Sequence, residues 1–146
     1  MKKLLILFMI LSNSISYAQD SVDITELLKK VTALASSGDA EAAYHLGMIH
    51  LNGIGIERDN KEGLRWINIA ANKNDPLAAY ELGNFNAGAY GEIVPENSEE
   101  AFRNKKKSAT AGYSIAQYDV GVMYLNFNNG TQGLKFLELA AAQGNL

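Results

Sequence analysis

Residues 42 to 53 read "AAYHLGMIHLNG", and two later stretches follow the same pattern: "AAYELGNFNAGA" from Ala78 and "AQYDVGVMYLNF" from Ala116. Each sets out an alanine, a tyrosine two positions on, a leucine or valine two further, and then a glycine. Gly47, Gly83 and Gly121 stand 36 and 38 residues apart. A second motif alternates with the first. "EGLRWINIAANKN" from Glu62 matches "QGLKFLELAAAQG" from Gln132, and "EAFRNKKKSATAG" from Glu100 is a weaker copy. "KVTALASSGDA" from Lys30 carries the same ending at Ala35 and Gly38. Self-similarity at this period, with no alternating strand pattern, points to a solenoid of helical hairpins.

The spacing inside each copy supports helices. Ala42, Leu46, Ile49 and Gly53 recur at intervals of four, three and four, one stripe of a helix, and Leu64, Ile67, Ala70 and Ala71 form another. Glycine inside a helix costs about 1 kcal/mol relative to alanine, so its return at 47, 83 and 121 implies close helix approach. Gly38, Asn74, Gly112 and Gly144 hold equivalent places where a left-handed C-cap belongs. Asp39 and Asp75 follow as N-caps, with Pro76 suited to a first helical position. Asp59 and Ser98 are N-cap candidates for the second helices, and Glu62 completes a capping-box spacing with Asp59. The reading is seven helices, over 23–37, 40–52, 60–73, 76–88, 98–111, 114–127 and 130–143.

The N-terminus reads differently. Met1-Lys2-Lys3 precedes an unbroken apolar run from Leu4 to Leu11, polar residues, and the small-residue pattern Ser16-Tyr17-Ala18. This is the layout of a signal peptide over 1–18, cleaved after Ala18; eight apolar residues reach only about 12 Å as a helix, short of a bilayer. The expected mature domain is 19–146, in the periplasm or secreted, with no transmembrane segment after cleavage. Loss of Lys2 and Lys3 takes the formal charge from −3 to −5, which gives no electrostatic case for nucleic-acid binding. Without cysteine the chain has no disulfide or thiolate chemistry.

The repeat pattern resembles the Sel-one-like repeat, a relative of the tetratricopeptide repeat. The residues that carry it are Ala42, Leu46, Gly47, Gly53, Gly55, Ile56 and Asp59, then Gly63, Trp66, Ala70, Ala71 and Asn74, and the likeness runs from about Ala35 to Asn145. Gly83 and Gly121 continue it. The implied fold is all-α, a right-handed α/α solenoid of antiparallel helical hairpins, about three repeats plus a leading helix. The implied function is a non-enzymatic scaffold or adaptor that binds a protein or peptide on the concave face of its first helices. Exported bacterial members include proteins that resemble immunity proteins against envelope-targeting toxins. An alternative from a different class is a hydrolase-type envelope enzyme, as has been proposed for related cysteine-rich repeat proteins. The missing cysteines and catalytic motifs count against it.

Candidate chemistry is sparse. Gly53-Ile54-Gly55 follows a helix, lacks a third glycine and a Lys-Ser/Thr pair, and so reads as a turn, not a phosphate loop. His45 and His50 are about 140° apart on a helix and do not converge on one metal. No catalytic, cofactor or metal residue is assigned. Arg103, Lys105, Lys106 and Lys107 form a basic cluster whose default is a solvated helix face. Lys105 falls where the other repeats carry Ile67 and Leu137, so this helix is expected to pack least well. The candidate partner-binding positions are Glu41, His45, Met48 and Asn52 in repeat one. They continue with Leu77, Glu81 and Asn84 in repeat two, and Ile115, Asp119 and Val122 in repeat three. The last helix, with Phe136, Leu137 and Leu139, has no polar cap in sequence, which would favour self-association.

Overall fold

The computed structural model describes residues 23–89 and 93–145. The signal-peptide reading over 1–18 lies outside them, as do Tyr90 and Gly91 of the second interhelical loop. The described residues form seven helices and no strand: α1 Ile24–Ser36, α2 Ala40–Asn52, α3 Asn60–Asn72, α4 Pro76–Asn86, α5 Ser98–Thr110, α6 Ser114–Asn126 and α7 Gly130–Ala142. The extensive contacts all join consecutive helices, so α2–α3, α4–α5 and α6–α7 are hairpins stacked in chain order behind α1. This is an all-α helical repeat solenoid.

The caps explain where helices begin. Asp39, Asp59 and Asp75 accept hydrogen bonds from the backbone N–H groups of Ala42, Glu62 and Ala78, and Asn129 accepts from Gln132. Two expectations change. The N-cap of α5 is Asn97, not Ser98, because the Asn97 amide oxygen takes both the Glu99 and Glu100 N–H groups at 3.1 Å. The capping box at α3 is only half made. Glu62 turns forward to Arg65, and the Asp59 N–H goes instead to the His50 carbonyl at 2.9 Å. At the other ends, Asn74 adopts φ 65° and Gly53 φ 66°, the left-handed geometry the turns require. Ile54 and Ile56 come back half-buried against the core, so Gly53 to Gly55 is a turn in the solenoid.

The hairpins close at glycines. A Cβ on Gly47 would sit 2.8 Å from the Ile67 side chain and 3.0 Å from the Gly63 carbonyl oxygen; one on Gly63 would meet Leu51 at 2.6 Å and the Gly47 oxygen at 3.0 Å. Gly121 and Gly133 repeat the arrangement, with Leu137 and Leu125 as the flanking side chains. In the middle hairpin the second glycine is replaced by Ala101, and the side chain lying over Gly83 is Lys105. Its alkyl stem takes the place of Ile67 and Leu137. Its ammonium passes on to the next repeat and donates to Asp119 Oδ2 at 2.7 Å.

Helix α5 departs from the repeat at three core positions, and each polar replacement finds an acceptor. Asn104, where repeat one has Trp66, donates to Asn86 Oδ1 at 3.1 Å. Lys105 pairs with Asp119. Ser108, fully buried where the others have Ala70 and Ala140, donates to the Pro76 carbonyl at 2.6 Å. The apolar core is correspondingly divided, one cluster lying over α1 to α4 and a smaller one over α5 to α7. α5 itself buries only Ala101, Ser108 and Ala109.

Two predictions follow from this packing. Gly47→Ala and Gly63→Ala are each expected to destabilise the chain by about 1–3 kcal/mol in urea melts, as overpacked core positions do. Gly130→Ala, where a Cβ meets open space at a helical residue, is expected to be neutral or stabilising by up to about 1 kcal/mol. Equal effects at all three sites would contradict the close-approach reading. For the inter-repeat pair, Lys105→Met leaves Asp119 without its cation and is expected to cost about 1–2 kcal/mol, the range for a half-buried pair. Adding Asp119→Asn should recover most of that loss.

Candidate functional site

Gly47, Gly83 and Gly121 face the second helices. Residues two positions earlier in α2, α4 and α6 lie about 200° around each helix and so point away from them. His45, Glu81 and Asp119 hold that place. The tyrosines one position before them are Tyr44, Tyr80 and Tyr118; the first two stand at junctions with the next repeat, and Tyr118 is exposed. Tyr80 shows what the position does: its hydroxyl donates to Asp119 Oδ2 at 3.1 Å, across to the next first helix. Its ring lies 5.3 Å from Tyr113, edge to face, and 5.0 Å from the Lys105 ammonium.

Tyr44 is the counterpart one repeat earlier. Burial is the main reason its hydroxyl is pushed up to about 12, with the charge of Glu81 next, then Tyr113 and Asp75. Tyr113 is also raised, chiefly by burial and then by Glu81 and Asp119. Tyr80 is raised by burial and then by Asp119. Desolvation holds His45 below its ordinary range against the opposing charges of Glu41, Asp75 and Asp39. Its ring packs edge to face on Tyr44 at 5.2 Å, and its Nε2 is 4.0 Å from Glu41. Desolvation raises the Asp75 carboxyl, partly offset by its bonds to the α4 N-terminus. Asp75 thus lies within electrostatic reach of Glu41, His45 and Tyr44, and Glu81 within reach of Tyr44 and Tyr113, a linked series that runs from repeat one to repeat two. Burial thus favours the neutral forms of these tyrosines and of the His45 imidazole.

The expected partner-binding residues divide accordingly. Glu41, His45 and Glu81 fall within this aromatic and acidic cluster, with Asn84 donating to Glu81 at 3.4 Å. Asp119 is brought to the same face, but its carboxylate is committed to Lys105 and Tyr80, and the two charged side chains are only 16% and 27% exposed. Asn52 bonds back to the Met48 carbonyl at 2.9 Å. Leu77, Met48 and Val122 are half-buried, and Ile115 is exposed. Tyr44, Tyr80 and Tyr113 were not assigned to the site from sequence. The repeated tyrosine was visible there as a marker of the period, and its spacing one residue from the acidic position was the available signal.

The basic cluster proves internally engaged. Arg103 bridges to Glu99 and Glu100, Lys105 to Asp119, and Lys107 to the Ala71 carbonyl. Lys106 lies over the rings of Phe102 and Tyr124. A cleft of about 470 Å³ lies beside it, lined by Arg103, Lys106, Lys107 and Thr110 together with Asn74, Asp75 and Pro76. Among the described residues no group of three or more His, Cys, Asp or Glu side chains is placed to hold a metal ion. No described helix is long and apolar enough to cross a membrane.

Comparison with known proteins agrees with this architecture. The family model of the Sel1 repeat matches residues 40–75, 76–113 and 114–145, and each match takes in one hairpin. The crystal structure of a Sel1 repeat protein from Oxalobacter formigenes is 33% identical, with a TM-score of 0.73 over 81% of this chain and 90% of that one. A protective antigen present in uropathogenic Escherichia coli strains, displaying an SLR fold, is 32% identical with a TM-score of 0.70, over 81% of this chain but only 26% of that longer chain. Sel1 repeats serve in general as scaffolds for protein interaction. Three consecutive family matches over residues 40–145, each spanning one hairpin, make this chain a member of the Sel1 repeat family.

Proposed function

We propose that the chain is an exported adaptor that binds a protein or peptide partner on the tyrosine- and carboxylate-rich face of α2 and α4. The observation that carries this reading is the convergence of Tyr44, Tyr113, His45, Glu41, Asp75 and Glu81 on one face. Tyr44 and Tyr113 are half-buried, and tyrosine is among the residues that dominate binding energy at interfaces. The carboxylates around them select for a partner segment of positive or hydrogen-donating character. Export is supported by the order of basic, apolar and small residues in Met1 to Ala18, and a related repeat protein being a protective antigen fits with it. The narrower reading is an immunity protein that occludes an envelope-targeting toxin, which calls for a toxin encoded beside this chain.

Export predicts that the chain recovered from the periplasm of an expressing bacterium begins at Gln19. Intact-mass measurement that finds Met1 to Ala18 still attached would refute cleavage. The binding face is tested with a captured and identified partner. Glu81→Lys and Tyr44→Ala should each weaken it about tenfold or more, while Arg65→Glu, outside this face, should not. Binding indifferent to both changes on α2 and α4 would place the interface elsewhere.

A further inference from the structure

We infer that the cleft between α5 and the α3–α4 turn is a second binding site, and that its occupant is a glutamate- or aspartate-bearing segment of a protein partner. The cleft holds about 470 Å³, within the range of pockets that seat a small ligand or a few side chains. One wall is α5, where Arg103, Lys106, Lys107 and Thr110 stand at i, i+3, i+4 and i+7 and so share a face. Asn74 and Asp75 lie opposite, and Pro76, Ala79 and Ala111 supply the apolar lining.

Two of these cations depart from the repeat. Aligned on Gly63, Ala101 and Gly133, Lys106 stands where the other second helices have Asn68 and Glu138, and Lys107 where they have Ile69 and Leu139. Ile69 packs against the apolar core of the first repeats. Lys107 fills the same junction position with an ammonium, which donates to the Ala71 carbonyl in the last turn of α3. Packing alone favours an aliphatic side chain there, and the Ala71 bond uses one of three ammonium donors.

Both ammonium groups remain open to an anion. Among the described residues Lys106 meets only the rings of Phe102 and Tyr124, at 6.0 and 5.6 Å, and Lys107 has no carboxylate partner. Arg103 bridges Glu99 and Glu100 at 63% exposure, where such pairs contribute little. Asp75, the carboxylate in the lining, accepts the Ala78 N–H at 2.8 Å as the cap of α4. A chain of net charge −3 thus gathers two ammonium groups without a carboxylate at one cleft.

Side-chain carboxylates fit this site better than a phosphate polymer or an anionic membrane. A nucleic acid requires a basic surface that tracks many phosphates, and here Glu99 and Glu100 stand beside the cations on the same helix. Anionic lipid surfaces are read by clusters of about four to eight Lys or Arg, more than this cleft presents. One carboxylate engages one or two ammonium donors, and its aliphatic stem rests on the proline and alanine lining. The tyrosine face of α2 and α4 selects for positive character, so the two sites read opposite charges and neither reading depends on the other.

The test is fluorescence anisotropy of a labelled hexaglutamate peptide titrated with the full purified chain to about 0.5 mM. Binding should saturate, and should weaken as ionic strength rises from about 10 to 150 mM and the Debye length falls from about 30 to 8 Å. Lys106→Gln should weaken it about threefold, and K106Q/K107Q about tenfold or more. K29Q/K61Q removes the same charge from α1 and α3 and should stay within about twofold of wild type. Circular dichroism checks the fold, and Lys106→Gln leaves the bond to Ala71 intact. Unlabelled hexaglutamate should displace the labelled peptide better, charge for charge, than tripolyphosphate or phosphatidylglycerol vesicles. Absence of saturable binding, equal losses in K29Q/K61Q and K106Q/K107Q, or stronger displacement by either phosphate probe would overturn the proposal.

Discussion

The stack is built outward from a contact that contains almost no side chain. At Gly47 with Gly63, and again at Gly121 with Gly133, two helix backbones approach until a Cβ on either would press on the other's carbonyl oxygen. The leucine or isoleucine a turn away on each helix then fits over the glycine of its partner. Because the contact is short and has one solution, it fixes how far each hairpin is wound and where along the helices the partners meet. Fixed hairpins repeat their remaining faces in register. That is why the tyrosines of successive first helices hold one position and the carboxylates after Tyr80 and Tyr118, Glu81 and Asp119, reach back toward the repeat before.

The middle hairpin keeps this geometry with different chemistry. Ala101 replaces the second glycine, and Asn104, Lys105 and Ser108 replace a tryptophan, an isoleucine and an alanine. A buried polar group without a partner costs about as much as a lost hydrogen bond and its desolvation. Here each of the three is satisfied across an element boundary: by Asn86 on α4, by Asp119 on α6, and by the carbonyl of Pro76. Gln117, also buried, follows the same rule through Ala109 and Gln143. Directional bonds hold one rotation of repeat three on repeat two where an apolar seam would tolerate several. The cost is a core interrupted at α5 and divided into two apolar clusters.

The features legible in the sequence were local ones. Helix starts and stops were readable because a carboxylate or amide caps within three residues, and because asparagine or glycine takes positive φ at the turn. Asn97 was missed in favour of Ser98 since both are good caps, and only geometry shows which side chain reaches two free N–H groups. Glu62 had the right spacing for a capping box and lost to Arg65 three residues on. The misfit at Lys105 could be seen by aligning the repeats, but not its resolution, which lies 14 residues away on α6. The candidate face was half legible for the same reason. Periodicity placed Glu41, His45 and Glu81 together, yet it could not tell that Asp119, in the equivalent position, is spent on an inter-repeat bond, or that the repeated tyrosines belong to the face.

That difference between Glu81 and Asp119 locates the chemistry of the molecule. Both follow a tyrosine and precede a glycine by two residues, so the repeat treats them as one position. The residue that separates them is in the preceding second helix: Ile67 lies over Gly47, whereas Lys105 lies over Gly83 and carries a cation to Asp119. The third repeat thus has its acidic position bound to an ammonium carried across from the second. The same acidic position therefore serves as an inter-repeat bond in α6 and lies beside Tyr44 and Tyr113 of the candidate face in α4.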